Sequence, residues 1–457
     1  MTDTQTALDT IAANYPARKK YCDYYDGVHY LAFATEKFKT AFGKTLAGMR
    51  DNLCPIVVEA PADRMEIINF AGEEGNIKAP IATESWKIWQ REQMELESFN
   101  VHLEAVKTGA SYVIVWPNEK GETRFFLQDS RNCVVIEDEE TGEPLFGAKQ
   151  WKTDDDKVRL NLYYADRIEK RITAKSRTGQ TGALKAEHFI KFADKEPTEN
   201  PYGVVPMFEF KTMPVLEDAI PVQDVLNKTL ADRMVSQEFA AFRQRWATGL
   251  TPPADELTGV PTLPFKAGAD RLWFTDAEGV KFGEFDATAL EPFLQASDAD
   301  RLEMARISGT PLHFFSINVS DAISGKALKA LESRFTKKVK RLTLNFGAVW
   351  AQIMKLALQI EKKSVDGTLT VQWSAVETQD EKELWETLGL KADLGIPEEI
   401  LWEESGYTKE DIARFKKLQE LEPEPTMVNV QGQKVDKNGV PVNEKEQKRM
   451  AAQASDN

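Results

Sequence analysis

Cysteine is scarce in this sequence: Cys22, Cys54 and Cys133 stand far apart in 457 residues. Their odd number and wide spacing argue against a disulfide framework or a cysteine zinc site, and fit a reducing compartment. Histidine is nearly as scarce, with four residues (His29, His102, His188, His313) and no HExxH pair to hold a catalytic zinc. No apolar run approaches the roughly 20 residues that span a bilayer, so no membrane partner is expected. The polar, acidic first residues do not read as a secretory leader. GKT at 43–45 ends like a phosphate loop, but the glycine needed five residues earlier is Phe38, and GKA at 325–327 lacks both the hydroxyl and the upstream glycine. Neither a GxSxG elbow nor a GxGxxG turn occurs. Carboxylates abound without forming a recognisable catalytic pair. The expectation is a protein that is not an enzyme and holds no cofactor or metal.

What is present is a globular composition, 42% apolar and 29% charged, long enough for two or three domains with real cores. The net charge of −15 argues against a protein that grips nucleic acid over its whole surface. It leaves room for one that handles DNA without holding it.

Taken in order, the first 50 residues look helical and basic-aromatic. Pro55 begins a short β-like run over Ile56–Glu59, and RMEIINF continues into another short element. Thr83–Lys107 reads as one amphipathic helix, with Trp86, Trp89, Leu96, Phe99, Leu103 and Val106 on one face and Gly109 just past its end. From Tyr112 to Lys211 come short runs rich in β-branched and aromatic residues (SYVIVW, RFFLQD, CVVIED, GAKQW, LNLYY, HFIKF, VVPMFEF). TDDD at 153–156 between two of them lacks the spacing of a calcium loop and reads as a hairpin turn. The fold class expected is α+β.

NPYGVVP at 200–206 marks a boundary, and a helix then runs to Gly249, keeping Val222, Leu226, Leu230, Met234 and Trp246 at helical spacing. Residues 250–286 carry little helix signal and read as short strands and turns. Thr288 with Glu291 resembles a capping box for the next helix. That helix stops at Gly309, since glycine takes the left-handed conformation and Pro311 cannot continue the spiral. A loop from Gly309 to Gly325 follows, long enough to suggest a task of its own. The next helix has apolar positions Leu328, Leu331, Phe335, Val339, Leu342, Phe346, Val349, Ile353, Leu356 and Ile360, a stripe down roughly 55 Å of helix. Its first turns are basic, with seven Lys/Arg (Lys326, Lys329, Arg334, Lys337, Lys338, Lys340, Arg341) against the single Glu332 between Ser324 and Arg341. Those charges are either a solvated face or lie near nucleic-acid phosphates, with Lys326 and Lys329 nearest the loop. Phe314 and Phe315 either stack on bases or pack beneath the loop. TLTVQW at 368–373 is a further strand. Residues 375–424 are helical and acidic, with fifteen Asp/Glu to six Lys/Arg. Past Pro425 no apolar period remains, and disorder is expected.

This order of elements, with its residues, resembles the portal proteins of tailed double-stranded DNA bacteriophages, the long-tailed kind in particular. The similar pieces are YYDG at 24–27, RMEIINF at 64–70, GASYVIVWP at 109–117, NPYGVVP, QDVLNKTLADRMVSQEFAAFRQRWATG at 223–249, ISGTP at 307–311, SGKALKALES at 324–333 and NFGAVW at 345–350. None is a catalytic motif; the resemblance rests on their order and joint coverage of about 350 residues.

The resemblance implies a homo-oligomeric ring, usually of about twelve subunits, at one capsid vertex of the virion, assembled from protein made in the host cytoplasm. It implies a wing over 1–215, stem helices over 216–249 and 288–309 and a clip over 250–287. A tunnel loop over 310–325, a long wing helix with its strand over 326–374, a crown over 375–424 and a disordered tail over 425–457 complete the map. His313, Phe314, Phe315, Ser316, Ile317, Asn318, Val319 and Ser320 would face the double-stranded DNA, and Lys326 and Lys329 its phosphates. Phe265, Lys266, Arg271, Trp273 and Phe274 of the clip would meet the terminase and later the head–tail adaptor. The major capsid or scaffolding protein would contact the ring from outside. Alternatives are another connector component of the same particle, or a packaging nuclease or motor.

Overall fold

The computed structural model describes residues 2–29, 50–177, 182–192, 197–241, 245–249, 279–285, 289–315, 325–377 and 381–405, with a few short stretches between 407 and 435. Expectations that fall on 30–49, 250–278 and 316–324, and on nearly all of 418–457, lie outside the described residues. The chain divides into two compact units, Met1–Thr378 and Gln379–Asn457.

The first unit mixes helix and sheet. It runs α1 (Asp3–Tyr25), α2 (Cys54–Asp63), β1 (Ile67–Ala71), α3 (Pro80–Arg91), α4 (Met94–Thr108), β2 (Ala110–Pro117), β3 (Thr123–Gln128), β4 (Cys133–Glu137), β5 (Pro144–Lys152) and β6 (Val158–Tyr163). There follow β7 (Arg167–Thr173), β8 (Phe189–Lys191), β9 (Thr198–Glu199), β10 (Met207–Lys211), α5 (Leu216–Ala241), β11 (Arg245–Thr248), β12 (Lys281–Glu284), α6 (Glu291–Ser308), α7 (Gly325–Ile360) and β13 (Thr370–Trp373).

Strands β4 to β8 form one antiparallel sheet in sequence order, with β9 paired to β7. Alternation along the strands sends Val134, Phe146, Ala148, Leu160 and Leu162 to one face, where Ala7, Leu8 and Ile11 of α1 cover them. Cys133, Val135, Tyr163 and Ile168 point to the other face and meet Tyr112, Ile114 and Met207 of the β10–β2–β3 sheet. Arg18 ties the layers together: buried, it donates to the carbonyls of Ser130 and Cys133 and, at 2.9 Å, to the Tyr112 hydroxyl. The TDDD segment is the β5–β6 turn, closed by Thr153 N–H donating to the Lys157 carbonyl at 2.8 Å.

Four expectations change. Residues 56–59 are helical, not extended: Pro55 occupies the first turn, where a missing N–H is tolerated, and the buried set Cys54, Val57, Val58, Pro61, Ala62 has helical spacing. The single helix over 83–107 is two, because Gln93 adopts a left-handed φ of 56° between α3 and α4. That break rotates the buried face onto Ser98, Val101, His102 and Ala105, and leaves Leu96 69% exposed. The helix expected to reach Gly249 ends at Ala241, and Arg245–Thr248 pairs with Lys281–Glu284 instead. Trp246 therefore belongs to a two-stranded antiparallel ladder, its ring so close over Gly283 that a Cβ there would stand 2.3 Å from it. Finally, α6 starts from Leu290 without a side-chain cap, with a proline (Pro292) in its first turn, so the Thr288–Glu291 box does not set its start. Strand β7 (RIEKRIT) was not anticipated, since charge masks its alternation.

The second unit contains α8 (Glu381–Asp393) and α9 (Glu398–Glu404) and a two-stranded ladder of β14 (Met427–Val428) with β15 (Lys434–Val435). Among its described residues Leu388, Leu401 and Ile412 are buried, and Phe415 lies edge-on to Tyr407 and Trp402.

Candidate functional site

The main core is built around α7 from Phe335 onward. Phe335, Val339, Phe346, Trp350, Ile353, Met354, Leu356, Ala357, Leu358 and Ile360 are all buried. Burying each large side chain contributes roughly 1.5–3 kcal/mol. The burial extends beyond the expected stripe because β1–β13, β2–β10 and α3 pack against α7 from different directions. Trp350 meets Trp89 edge-on at 4.9 Å and Phe210 at 4.8 Å, while His102 stacks on Phe346 at 5.5 Å.

His102 is fully buried, and its Nε2 accepts the indole N–H of Trp350 at 2.8 Å. An indole nitrogen only donates, so the imidazole is neutral with its proton on Nδ1. Burial drives the His102 pKa down to about 3. The backbone of Met65 acts in the opposite direction but makes no hydrogen bond of ordinary geometry to Nδ1.

The N-terminal half of α7 meets the root of the long loop. Helix α6 ends with Gly309 at φ 69°, the left-handed stop that the sequence implies. Leu312–Phe314 form one 3-10 turn rather than irregular chain. Phe315 is buried, and the Phe314 ring lies edge-on to Phe335 at 6.2 Å. His313 sits 3.1 Å from Glu332, whose other oxygen is 3.7 Å from Arg64; Arg64 also donates to the Val376 carbonyl at 2.8 Å. Glu332 is thus a buried junction among the loop root, the end of α2 and the chain beyond β13. Lys338 reaches back to donate to the Ser308 carbonyl at 3.0 Å, neutralising the negative end of α6. Burial, then repulsion from Arg334 and Arg341, lowers its pKa to about 8.

Of the eight residues expected to face DNA, His313 and Phe314 are therefore tied to α7, and Phe315, buried in the core, offers no ring for stacking. Ser316, Ile317, Asn318, Val319 and Ser320 lie outside the described residues, as do the side chains of Lys326 and Lys329. Phe265, Lys266, Arg271, Trp273 and Phe274 lie outside them too. The sequence singled out neither Glu332 nor His102. The available signal for Glu332 was its isolation as the one acid among seven cations.

Helices α5 and α6 pack side by side, with the Thr229 hydroxyl donating to Asp300 at 2.9 Å. Because β11 pairs antiparallel with β12, the chain runs out along α5 and returns along α6. Arg301, two turns before the end of α6, ties that helix to Asp51 ahead of α2 at 2.7 Å. Among the described residues no cluster of His, Cys, Asp or Glu could hold a metal ion, and no helix is long and apolar enough to cross a membrane.

A side-by-side helix pair with a two-stranded antiparallel ladder at its end, and a long helix with one side in the core, define a scaffold. The family model described as "Phage portal protein, SPP1 Gp6-like" matches residues 62–424. The chain belongs to this family of phage portal proteins. Portal proteins of Mycobacterium phages L5 and D29 are each 31% identical to it over 156 residues, or 34% of this chain. The alignment spans 32%, about a third, of each of those relatives. Two solved structures share a broad likeness. The neck of a native GTA particle computed with C12 symmetry aligns at 15% identity and a TM-score of 0.46, and the neck of an empty GTA particle computed with C6 symmetry at 12% and 0.47. Each alignment covers 82% of this chain and 95% of the other.

Proposed function

We propose that this chain forms a ring of about twelve copies at one vertex of a phage capsid. The ring serves as the conduit for double-stranded DNA during packaging and ejection. The observation that carries the reading is family membership over residues 62–424. The paired α5–α6 helices, suited to line a channel as its stem, and the loop springing from Gly309 support it. Residues 1–215 act as the wing, 250–287 as the clip that receives the terminase and then the head–tail adaptor, and 375–424 as the crown. The capsid or scaffolding protein meets the ring from outside. An acidic subunit suits this task, because like charge lets DNA slide without being held.

The tunnel loop acts through residues 316–320, since 313–315 are committed to holding its root, and Lys326 and Lys329 stand closest to passing phosphates. Negative-stain images of the purified protein viewed end-on should display closed rings; a monomer at every concentration overturns the reading. Replacing residues 316–320 with glycines should leave rings intact and impair DNA packaging. Packaging at the parental level would remove the tunnel-loop assignment. Alanine at Trp273 and Phe274 should weaken terminase binding by rings that otherwise form normally, and unchanged binding argues against the clip assignment.

A further inference from the structure

Helix α7 buries one side and exposes another, and the exposed side carries charge of a single sign. Arg334, Lys337 and Arg341 stand three and four residues apart on one exposed face, and none has a carboxylate partner among the described residues. Lys340 differs, being paired with Glu377 at 2.7 Å, and Lys338 is turned inward to Ser308. The next turn continues the face with Leu344, 77% exposed. Beside it Asn345 donates to the Lys211 carbonyl at 2.7 Å, two residues before Met213, itself 79% exposed. A cationic strip therefore runs into an uncovered apolar spot.

Elsewhere in the same unit the tip between β4 and β5 carries five carboxylates in seven residues, Glu137 to Glu143, with no cation among them. Glu137 is paired with Lys211, and Asp138 accepts the backbone N–H groups of Glu140 and Thr141 to shape the turn. Glu139, Glu140 and Glu143 remain, exposed and with no cation partner among the described residues. The strand that follows, from Pro144, carries Leu145 as its second residue, 50% exposed. Within one subunit, three cations beside an exposed leucine and three carboxylates beside another do not meet each other.

We infer that they meet between subunits: the β4–β5 tip of one copy seats on the Arg334–Leu344 face of α7 in the next. This rests on the ring proposed above and names one of its contacts. A contact between two different patches is heterologous, and repeated by rotation it closes a ring. Charge complementarity also answers how a subunit of net charge −15 approaches its own copy, since the strip is a cationic place on an acidic surface. A nucleic-acid partner would satisfy the cations but leave Leu344 and Met213 against phosphates, whereas a second copy supplies both carboxylates and Leu145.

The test is a charge swap in the full chain, read by mass photometry across subunit concentration and by end-on images. Lys337→Glu with Arg341→Glu should weaken ring formation at least about tenfold, and so should Glu139→Lys with Glu140→Lys and Glu143→Lys. An equimolar mixture of the two variants should recover rings of alternating subunits, because every tip then meets a strip of opposite charge; a mixture that stays non-ringed overturns the inference. The chain carrying all five changes should recover the parental ring. Unaltered thermal midpoints would exclude misfolding as the cause, since every substituted residue is exposed. Rings of parental stability in either single set overturn the inference, as does failure of the combined chain to recover. Loss of DNA association with rings intact also overturns it and assigns the strip to phosphates. A parental protein that never forms rings strikes the ring reading itself.

Discussion

Acidification should expose the buried His102 as a weak point of the α7 core. In the folded chain its pKa is about 3, because the fully buried ring cannot be charged without losing hydration. In the unfolded chain it returns to about 6.5. Between these values the unfolded state binds a proton that the folded state refuses, so stability is complete above pH 6.5 and falls as pH drops toward 3. Two pH units below 6.5 the loss amounts to roughly 3 kcal/mol, at about 1.4 kcal/mol per unit. The assay is urea unfolding at pH 7 and pH 4.5, followed by tryptophan fluorescence at one protein concentration, for the parent and His102→Gln. Carboxylates titrate in both proteins and cancel in the comparison. The variant starts less stable, yet should lose roughly 3 kcal/mol less than the parent between the two pH values. Equal losses would refute the reasoning, and would mean that the imidazole accepts a proton in the folded state.

Other consequences can be checked alongside. Trp350→Phe keeps most of the ring packing but leaves the His102 acceptor without its donor, and should lower stability by about 1–3 kcal/mol in the same unfolding experiment. Phe315→Ala should lower it by about 3–5 kcal/mol, as a buried phenylalanine does, while leaving DNA packaging per folded ring unchanged. Glu332→Ala removes the partner of both His313 and Arg64 and should cost about 1.5–3 kcal/mol, with earlier proteolytic cleavage near residues 313–320. Lys338, its pKa lowered to about 8, releases its proton in the folded chain before the unfolded one does. Stability should therefore rise between pH 8 and about 10.5, and Lys338→Met should remove that rise.

The sequence by itself determined the long helix, its stop at Gly309, the strand-rich middle and the absence of familiar catalytic motifs from its letters. These follow from local rules: apolar residues three and four apart, a glycine free to turn left-handed, and motifs whose spacing either matches or does not. The family resemblance was equally legible, because it rests on the order of blocks such as NPYGVVP and NFGAVW. What only the tertiary structure decided depends on partners far away in the chain. Whether CPIVVEAPAD is helix or strand turns on which side chains find a core, as a short apolar run permits both. Trp246 left the helix for a strand because Gly283 of the paired strand, 37 residues on, makes room for its ring. His102 became a neutral hydrogen-bond acceptor only through Trp350, and Glu332 a junction only through Arg64 and His313. Local periodicity records which face is buried; it carries no record of which distant residue will be waiting there.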